Sequence, residues 1–350
     1  MPQHRRTART AAVAAALAVA AALTACTGAG RPGAGAGETS ASPTTEPPAD
    51  AEALTIGLTY VPDIQFAPFY VAAERGYYAD AGLEVTLRHH GQSEGLFTAV
   101  AQGEEDLVVA GGDEMLQARS QGVPLVDVAT LYQDYPVVLI VPADSPITAP
   151  ADLAGRSVGI PGPYGETYFG LLALLAGAGL TEEDVDVEHI GYTQQTALAT
   201  GHVDAVMGFV NNDAVRFAQA GTEVRTVPLG DVPLVGVGLG VLDSTAEERP
   251  DAVAAAVAAT LRGVADVAAD PAAAVDDAAA HVPDLARPEQ RETALAALEA
   301  TAPLYGAEPG AQDGELWTRM AGFMAEHDLL AGDVDPAAAW TARFLPAASN

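Results

Sequence analysis

Between Leu54 and Leu87 the chain reads LTIGLTYVPDIQFAPFYVAAERGYYADAGLEVTL, a strand, a loop, a helix and a second strand. No other stretch restricts the fold as much. Leu54–Tyr60 alternates and carries β-branched residues, the pattern of a strand. Pro68 suits the first turn of a helix, where its missing N–H costs nothing. Phe69, Ala72 and Ala73 supply an apolar face, and Gly76 is a suitable stop. Gly82 breaks the chain again before a strand over Leu83–Leu87. Two strands joined through a helix run parallel. In open parallel sheets ligands bind just past the carboxyl ends of strands, where Val61–Phe66 falls.

The unit recurs about a hundred residues later. Ser157–Pro161 reads as a strand, Gly162-Pro163-Tyr164-Gly165 as its loop, Glu166–Ala176 as a helix and Val185–Ile190 as the closing strand. The next segments match in register: Ala99-Val-Ala-Gln-Gly103-Glu-Glu-Asp106-Leu-Val108 beside Ala197-Leu-Ala-Thr-Gly201-His-Val-Asp204-Ala-Val206. Each reads as a helix end, a glycine cap, a turn, an aspartate and a buried strand. G-x-x-D is a common helix-to-strand link, but two copies in register point to two similar α/β lobes whose strand-end loops can face one cleft.

The remaining elements follow from periodicity. Helices are expected at Ser93–Gln102, Met115–Ser120, Thr193–Thr200 and Asn212–Ala220. Strands are expected at Asp106–Ala110, Pro124–Leu131, Pro136–Val141, Ala205–Phe209, Val224–Val227 and the glycine-rich Leu234–Leu242. From Thr245 the chain turns Ala-rich. Helices at Glu247–Ala268, Pro271–Ala280, Pro288–Thr301, Asp313–His327 and Pro336–Phe344 have the length to pack back on the first lobe.

Residues 1–25 have the basic, apolar and cleavage parts of a secretory signal, with Arg5, Arg6 and Arg9 before the apolar Thr10–Ala22. Leu23-Thr24-Ala25-Cys26 resembles a bacterial lipobox, so Cys26 is the expected lipidation site and the membrane is reached through that anchor. Residues 26–52, rich in Gly, Ala, Ser, Thr and Pro, read as a flexible tether. Cys26 is the one cysteine in the sequence, which excludes an intrachain disulfide.

All sixteen basic residues are arginine. Without lysine there is no Schiff-base, P-loop or kinase-type lysine chemistry. The formal net charge of −31 argues against a nucleic-acid partner, whose phosphates require clustered cations.

Gly91-Gln92-Ser93-Glu94-Gly95 matches G-x-S-x-G, the nucleophile-elbow pattern of serine hydrolases. Ser93 follows only the second strand, and its counterpart in the repeat is Thr193. Ser and Thr at these places are ordinary helix N-caps, which leaves a secreted serine hydrolase as the rival function. His89-His90 point to opposite faces of a strand, and no His/Cys/acid set has metal-ligand spacing, so no metal site is expected.

The strand-end loops carry the binding candidates: Asp63, Gln65 and Phe66; Gly112, Asp113 and Glu114; Tyr132 and Gln133; Gly162, Tyr164 and Glu166; Tyr192 and Gln194; Phe209, Asn211 and Asn212. Aromatics, amides and carboxylates dominate, and no arginine is among them. Such a set suits a flat neutral or cationic heterocycle, because rings stack and amides and acids read N–H edges. It suits sulfonate or phosphate poorly.

The pattern P-x-x-x-F-A-P-F-Y-V-A-x-E-x-G-Y-Y from Pro62, with D-S-P-I from Asp144 and A-D-L-A-G-R-x-V-G-I-P-G from Ala151, resembles solute-binding proteins of ABC importers. The nearest group is the thiamine-pyrimidine-synthase-like family, which includes sulfonate and riboflavin binders. QFAPFYVA and IGYTQ are most similar to the riboflavin-binding members. The resemblance covers roughly Leu54–Arg262 and implies an α/β, two-lobe periplasmic-binding-protein (type II) fold, its cleft between lobes joined by two hinge strands. Lobe 1 is then 53–140 plus 237–350, lobe 2 is 141–236, and Pro136–Val141 and Leu234–Leu242 are the hinge pair. It further implies a small heteroaromatic ligand, ABC permease subunits as partners and no cofactor of the protein's own. Enzymes of the family form the thiamine pyrimidine from a lysine-bound pyridoxal phosphate, an activity that cannot transfer to a lysine-free chain. A secreted enzyme of synthase-like type and a ligand sensor without transport are the competing functions within the same fold.

Cys26→Ala should move the protein from the membrane fraction to the soluble fraction. Retention on membranes after a high-salt wash would contradict the anchor.

Overall fold

The computed structural model describes residues 51–91 and 94–347, so the signal, Cys26, nearly all of the tether and Ser93 lie outside the described residues. The opening unit folds as the sequence predicts. Strand β1 (Glu52–Leu58) leads into helices α1 (Ala67–Glu74) and α2 (Tyr77–Asp80), and β2 (Leu83–His89) returns parallel to β1. Pro68 occupies the first turn of α1, and Gly76 takes φ +72°, the left-handed conformation that a helix stop requires.

Helix α3 (Thr98–Ala101), β3 (Leu107–Gly111), α4 (Gly112–Ser120) and β4 (Leu125–Thr130) follow. The helix expected from Ser93 begins five residues later, at Thr98. It is a single turn without a side-chain cap. Helix α4 starts earlier than expected, which moves Gly112, Asp113 and Glu114 from a loop into its first turn. There two carboxylates face the positive end of the helix.

The second sheet is built from β5 (Val137–Pro142), β6 (Ser157–Ile160), β7 (Asp186–His189), β8 (Ala205–Phe209) and β9 (Val224–Val227). Helices α5 (Gly165–Gly177), α6 (Gln194–Ala199) and α7 (Asp213–Gln219) lie between them. Strand β10 (Val237–Leu242) then rejoins the first sheet. The strand orders are β2-β1-β3-β10-β4 and β7-β6-β8-β5-β9, with β10 and β5 antiparallel to their neighbours.

This arrangement corrects the hinge pair. Among the described residues β5 pairs only with β8 and β9, and β10 only with β3 and β4, so neither strand spans the lobes. The chain crosses at 131–136 and 228–236, and a boundary at residue 140 would cut β5. The crossings are bound to lobe 1: the Leu131 and Tyr132 amides both donate to the Val237 carbonyl, and Gly112 N donates to Gly236 O at 3.0 Å. A side chain at Gly236 would collide with the Tyr132 carbonyl.

The repeated G-x-x-D step has a physical purpose. Gly103 and Gly201 both end a helix with positive φ, +74° and +68°. Three residues on, Asp106 accepts from Thr55 N at 2.8 Å and Asp204 from Ser157 N at 3.0 Å, fastening the incoming strand to the opening strand of its repeat, β1 or β6.

Helices α8 (Asp243–Glu248), α9 (Pro250–Ala269), α10 (Pro271–Ala278) and α11 (Pro288–Thr301) cover lobe 1. Val253, Val257, Val264 and Val267 on one face of α9 are fully buried, each contributing about 1.5–3 kcal/mol relative to exposure. Helix α9 is long and apolar enough to cross a membrane by length and composition, yet half of that window is buried in this core. Helix α12 (Gly314–Glu326) departs from the expected packing on lobe 1 alone. Its Trp317, Met320 and Met324 join Leu116 of α4, Phe169 of α5 and Val235 of the second crossing in one cluster that spans both lobes. The helix expected over Pro336–Phe344 is a short turn at Pro336–Ala338. Beyond it the chain extends along β4, with Asp127 N donating to Ala339 O and Thr341 N to Asp127 O, each at 2.9 Å. Covering that sheet edge satisfies more backbone groups than another helical turn.

Behind β1, the buried Glu105 carboxylate meets Arg88 at 2.7 Å and His90 at 2.8 Å, directly over Gly57. A methyl at Gly57 would overlap that carboxylate, so Gly57→Ala should lower unfolding free energy by about 2–3 kcal/mol in urea titrations. Gly322→Ala, on an open helical surface, should be neutral or stabilise by about 0.5–1 kcal/mol.

Candidate functional site

The large apolar side chains left exposed among the described residues are three tyrosines: Tyr60 at 41%, Tyr164 at 53% and Tyr192 at 77%. They come from both lobes. Tyr60 follows β1, Tyr164 precedes α5 and Tyr192 precedes α6. They also sit close together. The Tyr192 hydroxyl is raised above its ordinary pKa by desolvation first, then by the Tyr164 hydroxyl beside it, with Tyr60 and Glu114 near enough to add to the effect. Exposed rings clustered at a lobe junction offer stacking faces.

Next to the tyrosines three carboxylates meet, two from α4 and one from α5. Tyr135, on the first crossing, donates to Asp113 Oδ2 at 2.6 Å and lies 3.0 Å from the Glu166 carbonyl of the other lobe. Glu114 Oε2 accepts from Gly111 N at 3.2 Å, and a Cβ at Gly111 would stand 3.1 Å from Glu166 Oε1. No arginine or histidine touches these three groups among the described residues. Asp113 is buried and Glu114 and Glu166 are half-buried, and burial without a cation favours the protonated form. Desolvation raises Asp113 to about 7, and desolvation with the Asp113 charge raises Glu114 to about 8. Glu166 is pushed well above the carboxylate range by burial first, then by Glu114 and Asp113. A proton on Asp113 frees the Tyr135 hydroxyl to donate to Glu166 O, completing a polar chain from one lobe to the other.

Two further links join the lobes. Asn211, in the turn after β8, donates from Nδ2 to Thr301 Oγ1 on α11 at 2.9 Å and stands 3.4 Å from the Tyr132 hydroxyl. Arg216 of α7 lies 3.7 Å from Asp63 of lobe 1. The set of loop residues expected at the site holds no arginine, and the structure corrects that. Arg216 is nevertheless engaged, since its Nε donates to Asn212 Oδ1 at 2.6 Å while it pairs with Asp63.

Asp63, Asp113, Glu114, Tyr132, Tyr164, Glu166, Tyr192 and Asn211 thus gather at the junction. Asp63 also accepts from Gln65 N at 3.1 Å to shape its own turn. Other expected residues serve the scaffold. Phe66 is buried in the lobe 1 core against the His89 ring, and Phe209 packs in the core of lobe 2. Gly112 is hemmed in by Val235 and Trp317, Gly162 lies under the Tyr164 ring, and Gln194 is buried at the start of α6. The Gln133 amide is spent on the Thr130 and Ala311 carbonyls at 2.6 and 3.2 Å. The sequence alone does not single out Tyr60, Tyr135 or Arg216. Tyr60 reads as the last residue of a strand, Tyr135 as polar loop, and only the folded lobes bring Arg216 to Asp63.

His89 and His90 do have separate partners, Tyr70 at 3.1 Å and Glu105 at 2.8 Å, and no metal-holding cluster occurs among the described residues. An open groove of about 420 Å³ lies between Gln117, Pro163, Tyr168 and Leu329.

Two five-stranded α/β lobes with a polar, aromatic-rimmed junction define a periplasmic-binding-protein fold. The chain superimposes on the aliphatic sulphonate binding protein SsuA from Escherichia coli with a TM-score of 0.67 at 19% identity, covering 82% of this chain and 91% of that one. The family model described as NMT1/THI5 like matches residues 63–274, and the chain belongs to that family. It is 35% identical over 326 residues to the riboflavin-binding protein RibY of Chloroflexus aurantiacus, covering 89% of this chain and 92% of that protein. It is 26% identical to the formylaminopyrimidine-binding protein of Halalkalibacterium halodurans over 83% of this chain and 91% of that one.

Carboxyls whose folded pKa lies above the unfolded value hold more protons when folded, so their contribution to stability is lost as pH rises through the folded pKa. Asp113, Glu114 and Glu166 are such groups, as is Asp127, buried on β4 and raised by desolvation to about 6. The ligand-free protein should therefore be most stable near pH 5 and lose on the order of 5 °C in Tm by pH 8.5, the change that roughly 2 kcal/mol produces in a domain of this size. Glu166→Gln with Glu114→Gln should flatten most of that slope in thermal melts, leaving the part due to Asp113 and Asp127.

Proposed function

We propose that this chain is the extracytoplasmic, lipid-anchored binding component of an ABC importer. It captures a neutral heteroaromatic vitamin or vitamin precursor, of riboflavin or thiamine-pyrimidine type, by closing its lobes and hands it to a permease. The observation that carries the reading is the group of exposed tyrosines, Tyr60, Tyr164 and Tyr192, beside carboxylates that have no cation among them within the described residues. Stacking on one ring contributes roughly 1–3 kcal/mol, by analogy with bases on aromatic platforms. Protonated or amide acceptors nearby can read ring N–H groups, while a sulfonate would meet carboxyls and an Arg216 already paired with Asp63. Likeness to a riboflavin-binding and a formylaminopyrimidine-binding protein supports the same ligand class.

Closure works as a population shift. A ligand that touches both lobes at once binds the closed form better and moves the equilibrium towards it. Catalysis of the synthase type is disfavoured because the sequence contains no lysine to hold pyridoxal phosphate.

Isothermal titration of the purified protein should give saturable binding of riboflavin or an aminopyrimidine and none of taurine or alkanesulfonates. Tyr164→Ala and Tyr192→Ala should each weaken the heterocycle by roughly 5–100-fold. Tight sulfonate binding, or heterocycle binding indifferent to both tyrosines, would overturn the proposal.

A further inference from the structure

Asn211 is only 6% exposed and belongs to lobe 2, yet its amide is engaged in lobe 1. The orientation of that amide is fixed by its neighbour. The Thr301 hydroxyl spends its hydrogen on the Ala297 carbonyl at 2.7 Å, so towards Asn211 it can only accept. Nitrogen therefore faces Thr301, and the amide oxygen faces away. Oδ1 has no accessible surface and no hydrogen-bond partner among the described residues. The Tyr305 hydroxyl, whose ring lies 5.6 Å from that of Tyr132, is unpartnered in the same patch. Buried acceptors are paired in nearly all native structures, so a donor belongs beside Oδ1.

We propose that Asn211 couples lobe closure to ligand reading: in the ligand-free form its amide nitrogen fastens lobe 2 to lobe 1 through Thr301, and its amide oxygen, enclosed in that form, is uncovered as the lobes part to admit the heterocycle and receives a ring N–H from it. The second half rests on the proposed function, and the first does not. Tyr132 supports the arrangement from the crossing segment, since its hydroxyl is the other group within reach of Asn211 Nδ2 and the Asp63 and Glu166 charges act on it. One side chain then senses both the opposite lobe and the ligand. Loss of either contact weakens closure, as a ligand acting on a two-state equilibrium requires.

The test uses riboflavin and 3-N-methylriboflavin, which lacks the imide N–H, titrated by fluorescence quenching into the native protein, Asn211→Ala and Thr301→Val. The native protein should prefer riboflavin by about 10-fold or more, the difference that one hydrogen bond makes. Asn211→Ala should bind riboflavin more weakly and lose the preference to within about twofold. Thr301→Val should weaken both ligands alike and keep the preference. X-ray scattering of the ligand-free proteins should show a larger radius of gyration for both variants than for the native chain. A preference that survives in Asn211→Ala would assign the missing donor to water and overturn the reading of the ligand. Scattering unchanged in both variants would overturn the fastening role. If the native protein binds neither flavin, the riboflavin reading and the acceptor role fall together, and the scattering still decides the other half.

Discussion

Among the described residues Asp113, Glu114 and Glu166 come together at the lobe junction with no cation beside them, and the first crossing is arranged around that constraint. Burying carboxyls unpaired is costly unless they hold protons or receive hydrogen bonds. The first two sit in the opening turn of α4 and Glu166 in that of α5, where helix ends present backbone N–H groups. Tyr135 supplies the remaining donor, and it can do so because the chain crosses between lobes at that point. Such a junction is responsive by construction: proton uptake, a ligand N–H or separation of the lobes each changes its energy.

The two crossings tie the lobes to each other. Segment 131–136 carries Tyr132 and Tyr135, whose hydroxyls reach Asn211 and Asp113. Segment 228–236 is pinned to α4 through Gly112 and Gly236. Helix α12 packs Trp317, Met320 and Met324 across both lobes, so a buried apolar cluster accompanies the polar junction. Apolar packing is tolerant of small rotations, whereas the carboxyl and amide contacts depend on distance and angle. That division of labour suits a hinge.

Much of this is legible in the sequence because it is local. Gly76, Gly103 and Gly201 end helices as their spacing predicts, and all three adopt positive φ. Asp106 and Asp204 stand out as a repeat, and their shared strand-fastening contact is the reason. The scaffold roles of Phe66 and Gln133 are not legible, since an aromatic or an amide in a strand-end loop looks the same whether it faces a core, a carbonyl or a ligand. Arg216 escapes because its partner Asp63 lies in the other lobe and far away along the chain, although the two are 3.7 Å apart in space. The extended segment around Trp340 escapes for a related reason. Its alanine-rich neighbours favour helix, but the open edge of β4 offers the better set of hydrogen bonds.

In the proposed function the junction holds a neutral heteroaromatic molecule between tyrosines and protonated carboxyls. Native mass spectrometry of the protein purified without unfolding, before and after mild denaturation, reads the ligand directly. A single small molecule should be released, with the mass and, read separately, the near-ultraviolet absorbance of a flavin or an aminopyrimidine, carrying at least one ring or exocyclic N–H. Release of a sulfonate, a sugar or a phosphorylated anion would contradict the proposed function.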